Sequence, residues 1–93
     1  MTLQQILYAL TIAECGSMNK ASEKLFIVQP TLTSAIQELE NEVGLTIFLR
    51  TRKGVIPTPE GAEFLDDIRN FYRHYNMVMQ KYEGEGDYKR KFG

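Results

Sequence analysis

Three observations predict a mainly α chain: three short helices, a two-stranded hairpin and one long final helix. Between residues 3 and 43, apolar side chains recur at helical spacing in three runs, parted by Gly16-Ser17 and by Phe26-Ile27-Val28. After Gly44 the period shortens to two β-type runs around the basic stretch Arg50-Thr-Arg-Lys53. From Phe64 to Tyr82 the apolar residues alternate four and three apart, the spacing of a heptad seam.

The first helix is predicted over residues 3 to about 15. Thr2 and Gln5 have the spacing of a capping box, and Leu3, Ile6, Leu7, Leu10 and Ala13 form its apolar side. Gly16 supplies a left-handed stop and Ser17 an N-cap for a short second helix with Met18, Ala21 and Leu25 inward. Phe26-Ile27-Val28 is a tight apolar link. A third helix opens at Gln29-Pro30, where proline costs nothing because a first-turn N–H has no helical partner. Its stripe is Leu32, Ile36, Leu39 and Val43, and Gly44 ends it. Two short helices joined tightly, the second with a polar leading turn, are the outline of a helix-turn-helix at about residues 18–37.

The hairpin follows at about residues 45–57, with strands at Leu45–Leu49 and Val55-Ile56 and a turn closed near Gly54. It is the wing of a winged helix-turn-helix occupying residues 1–58. Thr58-Pro59-Glu60 then announces a helix by N-cap, first-position proline and an acid at the positive dipole end. This helix, expected over residues 59–83, carries the seam Phe64, Ile68, Phe71, Tyr75, Val78 and Tyr82, with Leu65, Tyr72 and Met79 seven apart beside it. Its early members cover the domain core. Those from Phe71 onward lie too far along a helix rising about 1.5 Å per residue to fold back onto it, so a second copy is required. Two glycines at 84 and 86 are expected to end the helix, leaving residues 84–93 as a flexible tail.

Ninety-three residues suffice for one small core, and 43% hydrophobic with 25% charged residues is a globular composition. No apolar run approaches a membrane span, and no signal-peptide pattern opens the chain. One cysteine, Cys15, cannot pair within the chain, which fits a reducing cytoplasm. The charge is nearly balanced, 11 basic against 12 acidic residues. Up to Thr58 five basic residues (Lys20, Lys24, Arg50, Arg52, Lys53) face five glutamates, but three of the five crowd into the wing.

The motifs Ala13-Glu-Cys-Gly-Ser-Met18, Ala21-Ser-Glu-Lys-Leu25, Gln29-Pro30, Leu39-Glu40, Glu42-Val43-Gly44, Ile47-Phe48-Leu49-Arg50 and Thr58-Pro-Glu-Gly61 together resemble the N-terminal domain of LysR-type transcriptional regulators. The resemblance covers residues 1 to about 61 by motif and to about 83 by helix pattern. It implies a linker helix pairing antiparallel in a homodimer, with assembly to a tetramer left open for a full-length protein. It also implies a C-terminal effector-binding domain, absent here, on which a small-molecule effector would act; no cofactor is expected in residues 1–93. The tail Lys89 to Gly93 then resembles the opening strand of that domain. Three residues depart from the family pattern: Val28 where a hydroxyl is usual, Ser34 in place of arginine, and Pro57 in place of leucine, which shortens the last wing strand or holds it at an edge.

In a helix-turn-helix the leading residues of the second helix reach base edges in the major groove of double-stranded DNA. Opposite the buried stripe stand Gln29, Pro30, Thr31, Thr33, Ser34 and Gln37. Glutamine can bond adenine at two atoms, and proline or threonine carbons can pack on a thymine methyl. Base readout is assigned to Gln29, Pro30, Thr33, Ser34 and Gln37; backbone or minor-groove contact to Thr31, Lys20, Arg50, Arg52 and Lys53. For Arg50 an internal pairing with a carboxylate such as Glu40 is an almost equal expectation. The sequence offers little to an enzyme. His74 is the sole histidine, no metal set or phosphate loop appears, and Ser17, His74 and Asp66 or Asp67 have no reason to converge. The competing function is a winged-helix module for dimerisation or protein docking.

Overall fold

The computed structural model describes the backbone of residues 1–92 and the side chains of residues 1–83. In chain order it contains α1 (Leu3–Cys15), α2 (Met18–Leu25), α3 (Gln29–Val43), β1 (Phe48–Thr51), β2 (Gly54–Pro57) and α4 (Pro59–Phe92). The local signals act as expected at the helix ends. Thr2 and Gln5 form a reciprocal capping box, Ser17 accepts the Lys20 N–H, and Thr58 accepts the Gly61 N–H. Gly16 and Gly44 close α1 and α3 in the left-handed conformation.

α1 lies at the centre and packs on α2, α3 and α4. It buries Ile6, Tyr8, Ala9, Thr11 and Ile12; of the expected apolar side, Ile6 is buried and Leu10 and Ala13 pack half-buried on the core, while Leu3 and Leu7 remain over a third exposed. The helix is apolar around most of its girth, so its periodicity fits two faces. Ile12, Leu32, Leu39, Ile47 and Leu65 are the large side chains buried completely. Each contributes about 1.5–3 kcal/mol by leaving water.

The hairpin is shifted relative to the predicted runs. β1 starts at Phe48 and includes Arg50, β2 starts at Gly54, and the antiparallel register pairs Arg50 with Val55 and Phe48 with Pro57. Leu45 to Ile47 stay outside the strand, where their hydrogen bonds go to Glu40 and Thr58: the Glu40 carbonyl accepts the Leu45 N–H, the Ile47 carbonyl accepts the Thr58 N–H, and the Glu40 carboxylate meets the start of β1. The Glu40 Oε2 accepts the N–H of Ile47 at 2.6 Å and of Phe48 at 3.3 Å. Pro57, last in a two-stranded sheet, sits at an edge as its missing N–H requires.

Two glycines allow the wing and α4 to close on the core. A Cβ on Gly61 would stand 2.1 Å from the Ile47 carbonyl oxygen. On Gly54, at φ 131°, it would stand 2.3 Å from the Gly16 oxygen, which also accepts the Val55 N–H at 3.0 Å. α4 continues to Phe92 instead of ending at residue 84. Two glycines cost roughly 1 kcal/mol each in a helix, too little to stop one flanked by Glu, Lys and Arg. The expectations for the side chains of the tail, and for Gly93, lie outside the described residues.

Candidate nucleic-acid interface

Leu32, Ile36 and Leu39 lock α3 into the core, and this fixes what its first turns present. Pro30, Thr31, Ser34 and Gln37 are exposed, while Gln29 and Thr33 are half-buried. The leading turn therefore protrudes. Gln29 sits at the very start of α3, its Nε2 3.4 Å from Asn19 Oδ1. That bond is near the limit of useful length and leaves the amide available to another partner. Val28 is the N-cap with no side-chain hydrogen bond, and it is 67% exposed.

Arg50 lies in β1, beside α3, not at the tip of the wing. Its Nη2 donates to the Thr33 hydroxyl at 2.9 Å. The expected pairing with Glu40 does not form, because that carboxylate is occupied by the backbone of Ile47 and Phe48. Arg50 and Thr33, assigned to different tasks by the sequence, are thus one linked unit. Together they line a cleft of about 90 Å³ that is also bordered by Gln37, Glu40, Met18 and Phe48. The arginine holds the wing at a set distance from the helix. Because Thr33 accepts from Arg50, its own proton is directed elsewhere, as a donor.

Arg52 and Lys53 form the turn between the strands and are exposed. Lys24 is engaged: it donates to Glu14 at 3.0 Å, and that hydrogen bond, with the carboxylate's charge, raises its pKa. Among the described residues Lys20, Arg52 and Lys53 have no carboxylate partner. Lys20 thus stands on α2 and Arg52 and Lys53 at the wing tip, while Arg50 is tied to Thr33.

The seam on α4 divides. Ile68 is 3% exposed and Leu65 2%, both within this chain's own core, so Ile68 is withdrawn from the dimerisation set. Phe64 and Tyr72 are half-buried against the same core. Farther along, Phe71 (55% exposed), Val78 (40%) and Tyr82 (51%) stand open, with Tyr75 and Met79 half-buried beside them. Tyr72 and Tyr75 stack at 6.2 Å.

Sequence reasoning missed three features. Phe26 adopts a left-handed conformation at φ 59° and is 93% exposed at the turn between α2 and α3. Positive φ at a non-glycine residue has no sequence signal. Glu40 as the brace of the wing, and the Arg50–Thr33 link, are long-range contacts that no local pattern reveals. Among the described residues no group of His, Cys, Asp or Glu could hold a metal.

The geometry defines a winged helix-turn-helix domain with a long appended helix. Residues 3–62 match the signature of the family described as bacterial regulatory helix-turn-helix proteins, lysR family, and the chain belongs to that family. It is similar to the transcriptional regulator TfdT of Cupriavidus pinatubonensis, with 42% identity over 69 residues, 74% of this chain and 30% of the relative. Against YkuM of Bacillus subtilis, an HTH-type transcriptional regulator, identity is 35% over 88 residues, covering 91% and 30%. Among solved structures, the BenM DBD/catB site 1 DNA complex superposes with TM-score 0.86 at 30% identity, covering 92% of this chain and 97% of that one. The CbnR DBD–DNA complex gives TM-score 0.83 at 28% identity, covering 92% and 99%. The chain spans less than a third of the length of these curated relatives.

Proposed function

We propose that this chain is the DNA-binding and dimerising part of a transcription regulator that recognises a partly palindromic operator. The carrying observation is the first turns of α3, which project hydroxyls and amides while Leu32, Ile36 and Leu39 behind them are buried. The two solved relatives of this shape bound to DNA support the same use of the surface. α3 enters the major groove. Gln29, Pro30 and Thr33 read base edges, with Ser34 and Gln37 next to them, and Thr31 meets the backbone. Arg52 and Lys53 approach phosphates or the minor groove, and Lys20 contacts the flanking backbone. Arg50 acts mainly as the brace that sets the spacing of wing and helix.

Two copies joined through the open half of α4 present two recognition helices to two half-sites, and a twofold protein implies a near-palindromic site. No cofactor is assigned to these residues; a small-molecule effector belongs to a further domain of a longer chain, working in the cytoplasm. No described helix is long and apolar enough to cross a membrane.

The test is DNA retention as a function of salt, on operator-like duplexes recovered by in vitro selection. Binding should fall steeply as salt rises, and Arg52→Ala with Lys53→Ala should flatten the log–log slope by roughly 2–4, two phosphate contacts per monomer at about 0.9 each. That loss should be equal on all sequences. An unchanged slope removes the wing from the phosphates. Salt-insensitive binding to a protein, with no DNA retained, would replace the proposal by a docking function.

A further inference from the structure

Thr11 and Thr33 both sit inside helices, yet their hydroxyls are used differently. In α1 the Thr11 hydroxyl donates to the Leu7 carbonyl four residues back, at 2.7 Å, the ordinary outlet for a helical hydroxyl. In α3 the Thr33 hydroxyl has no such acceptor among the described residues. It accepts instead from the Arg50 guanidinium at 2.9 Å. No carboxylate among the described residues pairs with Arg50. Glu40, which lines the same cleft, is bonded to the N–H groups of Ile47 and Phe48. The cation is thus directed at one oxygen on the recognition helix.

We infer that Arg50 fixes the polarity of Thr33, making its hydroxyl a donor to the bases, so that cytosine is the base excluded at the position Thr33 reads. The inference rests on α3 lying in the major groove and adds which base atoms Thr33 takes as partners. A hydroxyl has one proton and two lone pairs. Arg50 occupies one lone pair. The second lies beside a full positive charge, which repels the hydrogens of an incoming amino group and polarises the O–H bond outward. Donation is the strong interaction that remains. On the major-groove edge guanine offers N7 and O6, adenine N7 and thymine O4, whereas cytosine presents only an amino donor. Against cytosine the Thr33 proton stays unpaired and meets hydrogens of its own sign. Arg50 is therefore a positioning residue that sets base preference through Thr33.

The experiment measures Kd of the 93-residue chain on duplexes recovered by in vitro selection. Each base is placed in turn at the position whose preference Thr33→Val abolishes. Uracil against cytosine is the informative pair, since neither has a methyl group and they differ at this edge in an O4 acceptor against an N4 donor. The parent chain should bind the uracil duplex roughly tenfold more tightly than the cytosine duplex. Arg50→Met keeps an apolar stem beside Met18 and Phe48 and should bring the two within about twofold. Arg50→Lys, which retains a cation and a donor, should keep the gap. A parent ratio near one overturns the inference without recourse to any variant. So does a ratio preserved in Arg50→Met while affinity falls equally on every duplex, which would make Arg50 a brace or phosphate contact. A Thr33→Val chain with unchanged preferences would remove Thr33 from readout. In each of these cases binding that falls steeply with salt leaves DNA recognition standing. A parent chain that retains no DNA would instead overturn the function on which the inference depends.

Discussion

The first turn of α3 and the second half of α4 are both helix faces that leave the core, yet they carry opposite chemistry. α3 presents Gln29, Thr31, Ser34 and Gln37, short groups with hydrogen bonds to give. α4 presents Phe71, Val78 and Tyr82, which give only surface. A protruding polar turn loses little by standing in water and gains only where donors and acceptors are arrayed to match it, as in a DNA groove. An exposed aromatic stripe is costly in water and gains from any apolar cover that fits. The difference is why the proposed function gives one chain two kinds of partner, a DNA groove for the polar turn and a second copy for the aromatic stripe.

The contrast is broken most severely by charging the apolar face. Phe71→Asp with Val78→Asp should convert dimers to monomers, since aromatic anchors in an interface are commonly worth about 2 kcal/mol or more each. Both positions are open to solvent in the single chain, so the domain itself should retain its helical signal and thermal transition within a few degrees. DNA affinity should fall to that of a half-site. A dimer that persists in sedimentation would show that the stripe is covered in some other way.

A smaller effect tests the polar face. Gln29→Ala removes an amide that no strong internal bond restrains, the contact with Asn19 being 3.4 Å long. Discrimination at one base pair per half-site should drop by about 1–3 kcal/mol, seen as a flattened position in selected sequences. Binding to unrelated DNA should hardly change. Selected sites identical to those of the parent chain would remove Gln29 from readout.

These two faces were legible in the sequence to different degrees, and the reason is locality. α2 and α3 are bounded by residues whose effects act within one turn: Ser17, Pro30 and Gly44. The stripe Leu32–Ile36–Leu39 follows directly, and so do the residues opposite it. α1 was legible as a helix but only partly in its rotation: Ile6, Leu10 and Ala13 pack inward as the pattern predicts, whereas Leu3 and Leu7 stay open and Tyr8, Ala9 and Ile12 complete the buried face. The seam of α4 was legible as a period, but the division at Ile68 depends on where α4 docks, and that is set by the close approach of Gly61 to Ile47. The wing register escaped for a similar reason. Glu40 satisfies backbone that a strand would otherwise pair, from seven residues away.

The smallest effect sharpens the polar side by completing it. Val28 caps α3 without a side-chain acceptor, and its extended backbone at φ −78° and ψ 149° is the conformation a capping serine adopts. With Pro30 lacking an N–H, the hydroxyl of Val28→Ser would take the Thr31 N–H, which now makes only the 3.1 Å bond to the Val28 carbonyl. Because Val28 is 67% exposed, little apolar burial is lost. The variant should be more stable by about 1 kcal/mol, raising Tm by roughly 4–8 °C in a domain of this size. The new hydroxyl also stands beside Gln29, at the edge of the proposed groove contact, where it adds a phosphate partner. A modest gain in affinity on every sequence should therefore accompany the rise in Tm. Stability gained with no change in DNA affinity would mean that the N-cap faces away from the backbone, and that the contact surface begins only at Gln29.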